Sequence, residues 1–252
     1  MKMFLATYRN EWDKLMSRKK YIVFLIIGVS ICLLWTVMGS IITNFASAQG
    51  GIMINLAPTP MGMLPFFLQL VVPFLIFMGL TDLLTVEGAE NTMKAMVFRP
   101  TERWKQYFSK ILAVVTYAAL YLVCVFIVCA VLNQIYGRAL RVDELLIALA
   151  SYALTIVPLA ILASFAALIA LLGKSGTLVM FILLFSYLLL NVAPVFFPVL
   201  GEMLFTSYLS WHRLWIGALP DTAKLVHMLL IVLGYGVVFV TAGSLIYEKK
   251  EY

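Results

Sequence analysis

The sequence predicts an all-α polytopic membrane protein with six transmembrane helices, and three observations carry that expectation. Charges are missing over long runs: none lies between Lys20 and Asp82, and further charge-free stretches run from Ile111 to Gly137, Leu145 to Gly173, Ser175 to Gly201 and Leu225 to Tyr247. Each is at least as long as the roughly 20 apolar residues that cross a bilayer as a helix. The chain is also 63% hydrophobic and only 12% charged, with a mean hydropathy of +1.02; a soluble domain has about 45–50% apolar and about 25% charged residues. Third, the basic residues are unevenly shared. With both ends in the cytoplasm, only Arg138, Arg141, Arg213 and Lys224 of the 18 Lys and Arg fall outside, which is the positive-inside bias.

The elements follow in order. Residues 2–17 are amphipathic, with Phe4, Leu5, Tyr8, Trp12, Leu15 and Met16 at helical spacing and Arg9, Glu11, Asp13 and Lys14 on the other side. That pattern predicts an interfacial helix with Phe4, Tyr8 and Trp12 at headgroup level. The first charge-free run is too long for one helix. Asn44, Gly50, Gly51, Asn55, Pro58, Pro60 and Gly62 mark an exposed loop and split it into spans at about 21–43 and 63–84. Further spans are expected at about 111–133, 145–172, 177–197 and 224–247. The fourth carries Pro158, which predicts a kink, and a small-residue face of Ala160, Ala163, Ser164, Ala166, Ala167 and Ala170 suited to close packing. Between spans five and six the chain stays apolar but is punctuated by Pro198, Glu202, His212, Arg213, Pro220 and Asp221. About 25 residues cannot cross and return as two full helices, so short re-entrant outer helices buried against protein are expected, with Trp211 and Trp215 at the outer interface. No A-x-A-like site follows the first apolar run, so a cleavable leader is not expected.

Little chemistry is available for catalysis. Cys32, Cys124 and Cys129 fall inside spans and read as small apolar packing residues; His212 and His227 are the only histidines, so no metal site is expected. Gly173-Lys174-Ser175-Gly176 fits the G-x-S-G pattern of rhomboid proteases, with His227 in the sixth span. Ser175 sits at the cytoplasmic mouth and His227 near the outer end, roughly 25–30 Å apart at 1.5 Å per residue, beyond reach for proton transfer. The same Gly-Lys-Ser lacks the Gly five residues earlier that a phosphate-binding loop needs, since Leu168 is there. No nucleotide or other cofactor is expected on this chain. The net charge of +6 is a topology signal toward anionic inner-leaflet lipid, and no nucleic-acid partner is expected. Asp82, one turn from the cytoplasmic surface, reads either as a solvated or Lys-paired acid or as a group for gating or ion coupling.

The longest cytoplasmic connection, Val86 to Lys110, has the form of a docking element. Glu90 and Lys94 sit at i, i+4 in the favourable order for a short helix, with Met93, Met96 and Val97 on its apolar side. Arg99 is held out of the helical region by Pro100, and Thr101 is a candidate cap for a new helix. This segment resembles the cytoplasmic coupling helix of type-2 ATP-binding-cassette (ABC) transporter permeases. That family shows an acidic residue, Gly-Thr, apolar positions, Pro-x-Ser-Arg, and a Lys seven residues on. Here Glu90 leads, Thr92 holds the Thr place, Pro100 and Arg103 keep their spacing, and Lys110 closes the segment. Asn91 stands where Gly is usual, and Glu102 where Ser is usual.

The resemblance implies a single transmembrane permease domain over residues 1–252, coupled to a separate ABC ATPase subunit that carries the ATP and Mg. Within the coupling segment, 87–103, Met93, Met96, Val97 and Phe98 would insert into a groove on the ATPase, while Glu90, Lys94, Arg99 and Arg103 would form rim pairs. It further implies a second permease copy or a homologous permease, and a multi-pass place in a bacterial plasma membrane. An exporter of an amphipathic or hydrophobic substrate (a peptide antibiotic, drug or lipid-like molecule) is the expected function, as in antibiotic-resistance or bacteriocin-immunity systems. The chain itself is then not an enzyme. An intramembrane enzyme and a non-transporting membrane sensor subunit are the alternatives.

Overall fold

A computed structural model describes residues 2–48, 59–86, 102–136, 141–215 and 222–249, and no strand occurs among them. Helix α1 spans Lys2–Ser17 and α2 Lys19–Ala48. Helix α3, Pro60–Val86, has its α-helical course interrupted by π-helical turns at Phe67–Val71 and Thr81–Val86. Helix α4 is Arg103–Tyr136; α5, Val142–Leu154, and α6, Ile156–Leu172, form the fourth span. After α7, Gly176–Phe196, come the short α8, Pro198–Met203, and a 3-10 helix, Phe205–Trp215; α9 is Thr222–Lys249. Six helices are long and apolar enough to cross a membrane: Lys19–Ile42, Pro60–Val86, Arg103–Ile135, Val142–Leu172, Gly176–Phe196 and Val226–Lys249. The protein is therefore a multi-pass membrane protein. Its core sits on the second, third and fourth spans, whereas α7 and α9 leave most of their length exposed.

The small-residue face of α6 packs as its sequence suggests. Ala163, Ala166, Ala167 and Ala170 are fully buried, and α6 lies against α3, α4 and α9. Two glycines serve the same end. A Cβ at Gly28 would fall 2.2 Å from the Tyr121 hydroxyl, and one at Gly243 would fall 2.0 Å from that of Tyr107. Only a bare backbone lets α2 and α9 approach α4 so closely. Cys32 and Cys129 are buried where α2 meets α4, their sulfurs 3.4 Å apart.

Prolines set the local geometry, and the missing bonds are replaced from other helices. Pro158 has no N–H to give the Leu154 carbonyl. The break falls three residues before the proline, at Thr155, between α5 and α6. The Trp211 indole N–H takes up the Leu154 carbonyl at 2.9 Å. Trp211 is consequently 5% exposed, a buried clamp where an interface anchor was expected. Pro73 likewise cannot serve the Gln69 carbonyl, which accepts the Tyr187 hydroxyl at 2.9 Å. Pro194 leaves the Leu190 carbonyl to the Thr206 hydroxyl at a longer 3.4 Å.

Short helices do lie between spans five and six, but they differ from expectation in burial. α8 has no buried residue, because it hangs outside the bundle. The 3-10 helix buries Phe205, Thr206, Tyr208, Leu209, Trp211 and His212 and is kinked at Ser210.

Replacement of Trp211 by Phe leaves the Leu154 carbonyl without a donor, at an expected cost of about 1–3 kcal/mol. Pro158→Ala in the same background supplies a backbone N–H and should recover much of it. Thermal unfolding midpoints in detergent micelles measure both; equal midpoints for wild type and Trp211→Phe would refute the clamp.

Candidate functional site

The sequence directs attention to the 87–103 segment and to α1. Glu90, Thr92, Met93, Lys94, Met96, Val97, Phe98, Arg99 and Pro100 lie outside the described residues, as does the candidate cap Thr101. The residues that bracket this segment are described, and they form a connected polar network. It lies at the end that carries α1, Lys110 and Lys249, here the basic end.

On the N-terminal flank, the π-helical turn Thr81–Val86 ends the second span. Three of its residues bond to three different elements. The Asp82 carboxylate accepts the Tyr21 hydroxyl at 2.7 Å and Arg18 at 3.1 Å, and pairs with Lys20. The Leu83 carbonyl accepts the Lys110 ammonium at 2.9 Å. The Thr85 hydroxyl donates to the Ala170 carbonyl at 2.8 Å, one of the last-turn carbonyls of α6 that have no partner within their own helix. Asp82 is thus a paired acid, held by cations of the first span and the turn before it. The Tyr117 hydroxyl donates to the Tyr21 carbonyl at 2.7 Å, which ties α4 into the same group.

On the C-terminal flank, α4 begins at Arg103, so Glu102 takes the cap position. Its carbonyl accepts the N–H groups of Lys105 and Gln106. Its carboxylate binds Lys105 at 2.9 Å and the Trp104 indole at 2.6 Å, and those hydrogen bonds hold it below the usual carboxylate range. Arg103, expected on a docking rim, donates to the Glu248 carbonyl at 2.8 Å. It therefore serves the last turn of α9, where a cation is favoured by the helix dipole.

Helix α1 departs from its sequence reading. It does not rest its aromatic face on lipid alone but docks against α4. The Tyr8 hydroxyl donates to Thr116 at 3.0 Å, Trp12 lies 6.5 Å from Tyr117, and Phe4 lies 6.4 Å from Phe108. The buried stripe is Thr7, Glu11 and Leu15, while Leu5 and Met16 are exposed. Glu11, expected on the polar side, is 0% exposed and pairs at 3.0 Å with Lys110, also 0% exposed. Lys14 reaches its other oxygen at 3.1 Å. Burial alone would raise the Glu11 carboxyl, but Lys110 and Lys14 outweigh it and hold the group below its ordinary value of 4.5. The i, i+4, i+8 stacking of Thr7, Glu11 and Leu15 is the one local signal of this arrangement.

Elsewhere, Ser175 takes the N-cap position of α7, next to Gly176, which lies against Val86 and Thr81, whereas His227 lies at the opposite end beside Arg213. The two cannot exchange a proton. Among the described residues no group of three His, Cys, Asp or Glu is placed to hold a metal ion. A second feature is an apolar groove of about 740 Å³ between α2, α3 and α7, lined by Phe24, Leu70, Phe74 and Leu188. Gln69 and Asn191 also open into it. The sequence reading missed both amides, because isolated Gln and Asn do not interrupt a hydropathy run.

Removing one partner of a buried ion pair costs about 3–5 kcal/mol, because the other charge stays in place. Glu11→Gln and Lys110→Met should each fall in that range, and the double variant should recover most of the loss, short of what the Leu83 carbonyl forfeits. The lowered Glu11 carboxyl adds a pH signature. Its contribution is present at neutral pH and is lost as the pH falls below 4.5 through the depressed folded value. Thermal midpoints from pH 7 to 3 should therefore fall more steeply for wild type than for the double variant.

No curated protein matches the chain. A family model does, over residues 21–252, a stretch that includes Tyr21, Asp82 and Lys110 and leaves α1 ahead of it. By that match the chain belongs to a family described as "Protein of unknown function (DUF2705)".

Proposed function

We propose that this protein is the transmembrane permease subunit of an ATP-driven exporter of the type-2 ABC kind. A separate ATPase chain would carry ATP and Mg, and the cargo would be an amphipathic or hydrophobic molecule: a peptide antibiotic, a drug or a lipid. In this reading both termini and the basic end face the cytoplasm of a bacterial plasma membrane, and the chain serves antibiotic resistance or immunity.

The observation that carries the reading is how segment 87–101 is mounted. Its first flank, Asp82 to Thr85, is bonded to the first, third and fourth spans. Its second flank continues into α4 and is bonded to the end of α9 through Arg103. A force applied to the segment reaches four spans through short hydrogen bonds and ion pairs, without passing through a slack linker. Segment residues Glu90, Thr92, Met93, Lys94, Met96, Val97, Phe98, Arg99 and Pro100 would supply the contact with the ATPase.

The groove between α2, α3 and α7 supports a second copy. Exposed Gln69 and Asn191 on a lipid-depth surface are costly beside hydrocarbon and favourable across a helix interface. Two copies facing through this groove would offer both amides partners across the interface, beyond the bond that Asn191 Nδ2 already donates to the Tyr187 carbonyl at 2.8 Å, and would enclose an apolar path.

Two measurements test the reading. Affinity purification of the tagged chain from its native membrane should bring an ATPase subunit, and Phe98→Ala with Arg99→Ala should reduce its recovery about tenfold or more, as loss of an interface anchor does. Recovery of no ATPase with the wild-type chain would end the proposal. Leu188→Cys, in a chain whose three native cysteines are replaced by Ala, should form a dimer-sized cross-link in membranes; exclusively monomeric product would remove the second copy from this face.

A further inference from the structure

The end of the bundle opposite the ion-pair network holds two cavities that meet at one residue. The first is a mixed cleft of about 570 Å³ between the 3-10 helix, the end of α8 and the start of α9, where Glu202, Ser207, Ser210, Arg213 and His227 line a largely apolar wall. The second is an apolar groove of about 520 Å³ that runs down α9 past Leu230, Gly234 and Val238. His227 lines both. We infer that together they bind one phospholipid of the surrounding leaflet, with a phosphate–ammonium headgroup in the cleft and an acyl chain in the groove.

Dimensions suit such an occupant. From His227 to Phe239 the groove follows twelve residues of helix, about 18 Å at 1.5 Å per residue. Half of a hydrocarbon core about 30 Å thick is close to that length, so one acyl chain fits from headgroup level toward the midplane. Gly234 forms the notch: a Cβ added there would meet nothing within 4 Å. Tyr235 and Phe239 make the floor. Both rings rest on Phe205, at 5.5 and 5.4 Å, and Phe239 also on Phe165, at 5.4 Å. Phe205 opens the same 3-10 helix that frames the cleft, so head and tail compartments are held at a set spacing.

The charges select the headgroup. Arg213 offers a planar fork suited to phosphate oxygens, and Glu202 offers a carboxylate to an ammonium. Neither has an ion-pair partner among the described residues. His212, next to Arg213 in sequence, is pushed down to about 4 by burial and by the Arg213 charge. It is therefore neutral at pH 7 and does not compete for the phosphate. A purely anionic headgroup would meet Glu202 unfavourably, and an uncharged one would leave both charges unanswered. The zwitterion answers both, and the site stands whether or not the chain couples to an ATPase.

The test uses the purified full chain in lipid nanodiscs. Three probes carry the same diazirine-tipped acyl chain on phosphatidylethanolamine, on phosphatidylglycerol, or on diacylglycerol. Labelling of the 228–240 segment is read by peptide mapping, normalised to the exposed face of α4 that carries Val123, Ile127 and Val131. Phosphatidylethanolamine should label about tenfold more than diacylglycerol, the ratio that one charge-assisted headgroup contact supports. Arg213→Gln should lower it to the diacylglycerol level, and Glu202→Gln should equalise phosphatidylethanolamine and phosphatidylglycerol. Equal labelling by all three probes on the wild-type chain would mean an ordinary lipid-facing surface and overturn the inference. Preference for phosphatidylglycerol would overturn the zwitterionic assignment. Both decisive comparisons use wild-type protein, so they stand even where a variant folds poorly.

Discussion

A polar group placed in hydrocarbon must find its partner within the protein, and this constraint organises the bundle. Each unsatisfied backbone group at that depth costs several kcal/mol. Prolines in α3, at the start of α6 and in α7 remove the i+4 N–H that an α-helix would offer the carbonyls of Gln69, Leu154 and Leu190. Those carbonyls accept Tyr187, Trp211 and Thr206 from other helices. What reads locally as helix damage becomes tertiary structure, since a carbonyl without a partner on its own helix is the best acceptor a neighbour can find. The same logic explains why Thr85 donates to the Ala170 carbonyl, in the last turn of α6.

The two ends of the molecule meet this constraint with different strength. At the basic end the partners are charged: Lys110 spans a carboxylate and the Leu83 carbonyl, and Asp82 collects a hydroxyl and two cations. Charge-assisted bonds are about twice as strong as neutral ones. They also demand geometry, because a buried charge that loses its partner cannot rehydrate. That end is consequently specified more narrowly than packing alone would specify it. At the opposite end the described ion pair of Arg141 with Asp143 is exposed to solvent, and the charges of Glu202 and Arg213 face a cleft.

The spans were legible because a charge-free run of sufficient length has one physical outcome in a cell, and the bend near Pro158 because a missing N–H acts locally. The position of the break at Thr155 and the burial of Trp211 were not, since the indole that completes the bend comes from 57 positions away. Glu11 was misread for the same reason. Helical spacing grouped it with Arg9 and Lys14, while the cation that draws it inward is 99 residues distant. Arg103, placed on a docking rim by the resemblance, is exposed, and its hydrogen bond to the end of the last helix is one that motif spacing does not show. Sequence arguments reach as far as one element; these residues are explained by pairs of elements.

Segment 87–101 therefore joins two flanks of unlike stiffness. Behind it stands α4, 34 residues without a proline, locked to α9 where Tyr107 packs on Tyr247 and into the Gly243 notch. Arg103 closes that junction from the segment's own side. Ahead of it stands α3, interrupted by two π-helical turns and by Pro65 and Pro73. A π turn holds its carbonyls in wider, weaker register, so a helix carrying two of them bends at lower cost than an unbroken one. Displacement of the segment would accordingly move α4 and α9 as a rigid pair and deform α3, whose first π-helical turn carries Gln69 into the groove with α7.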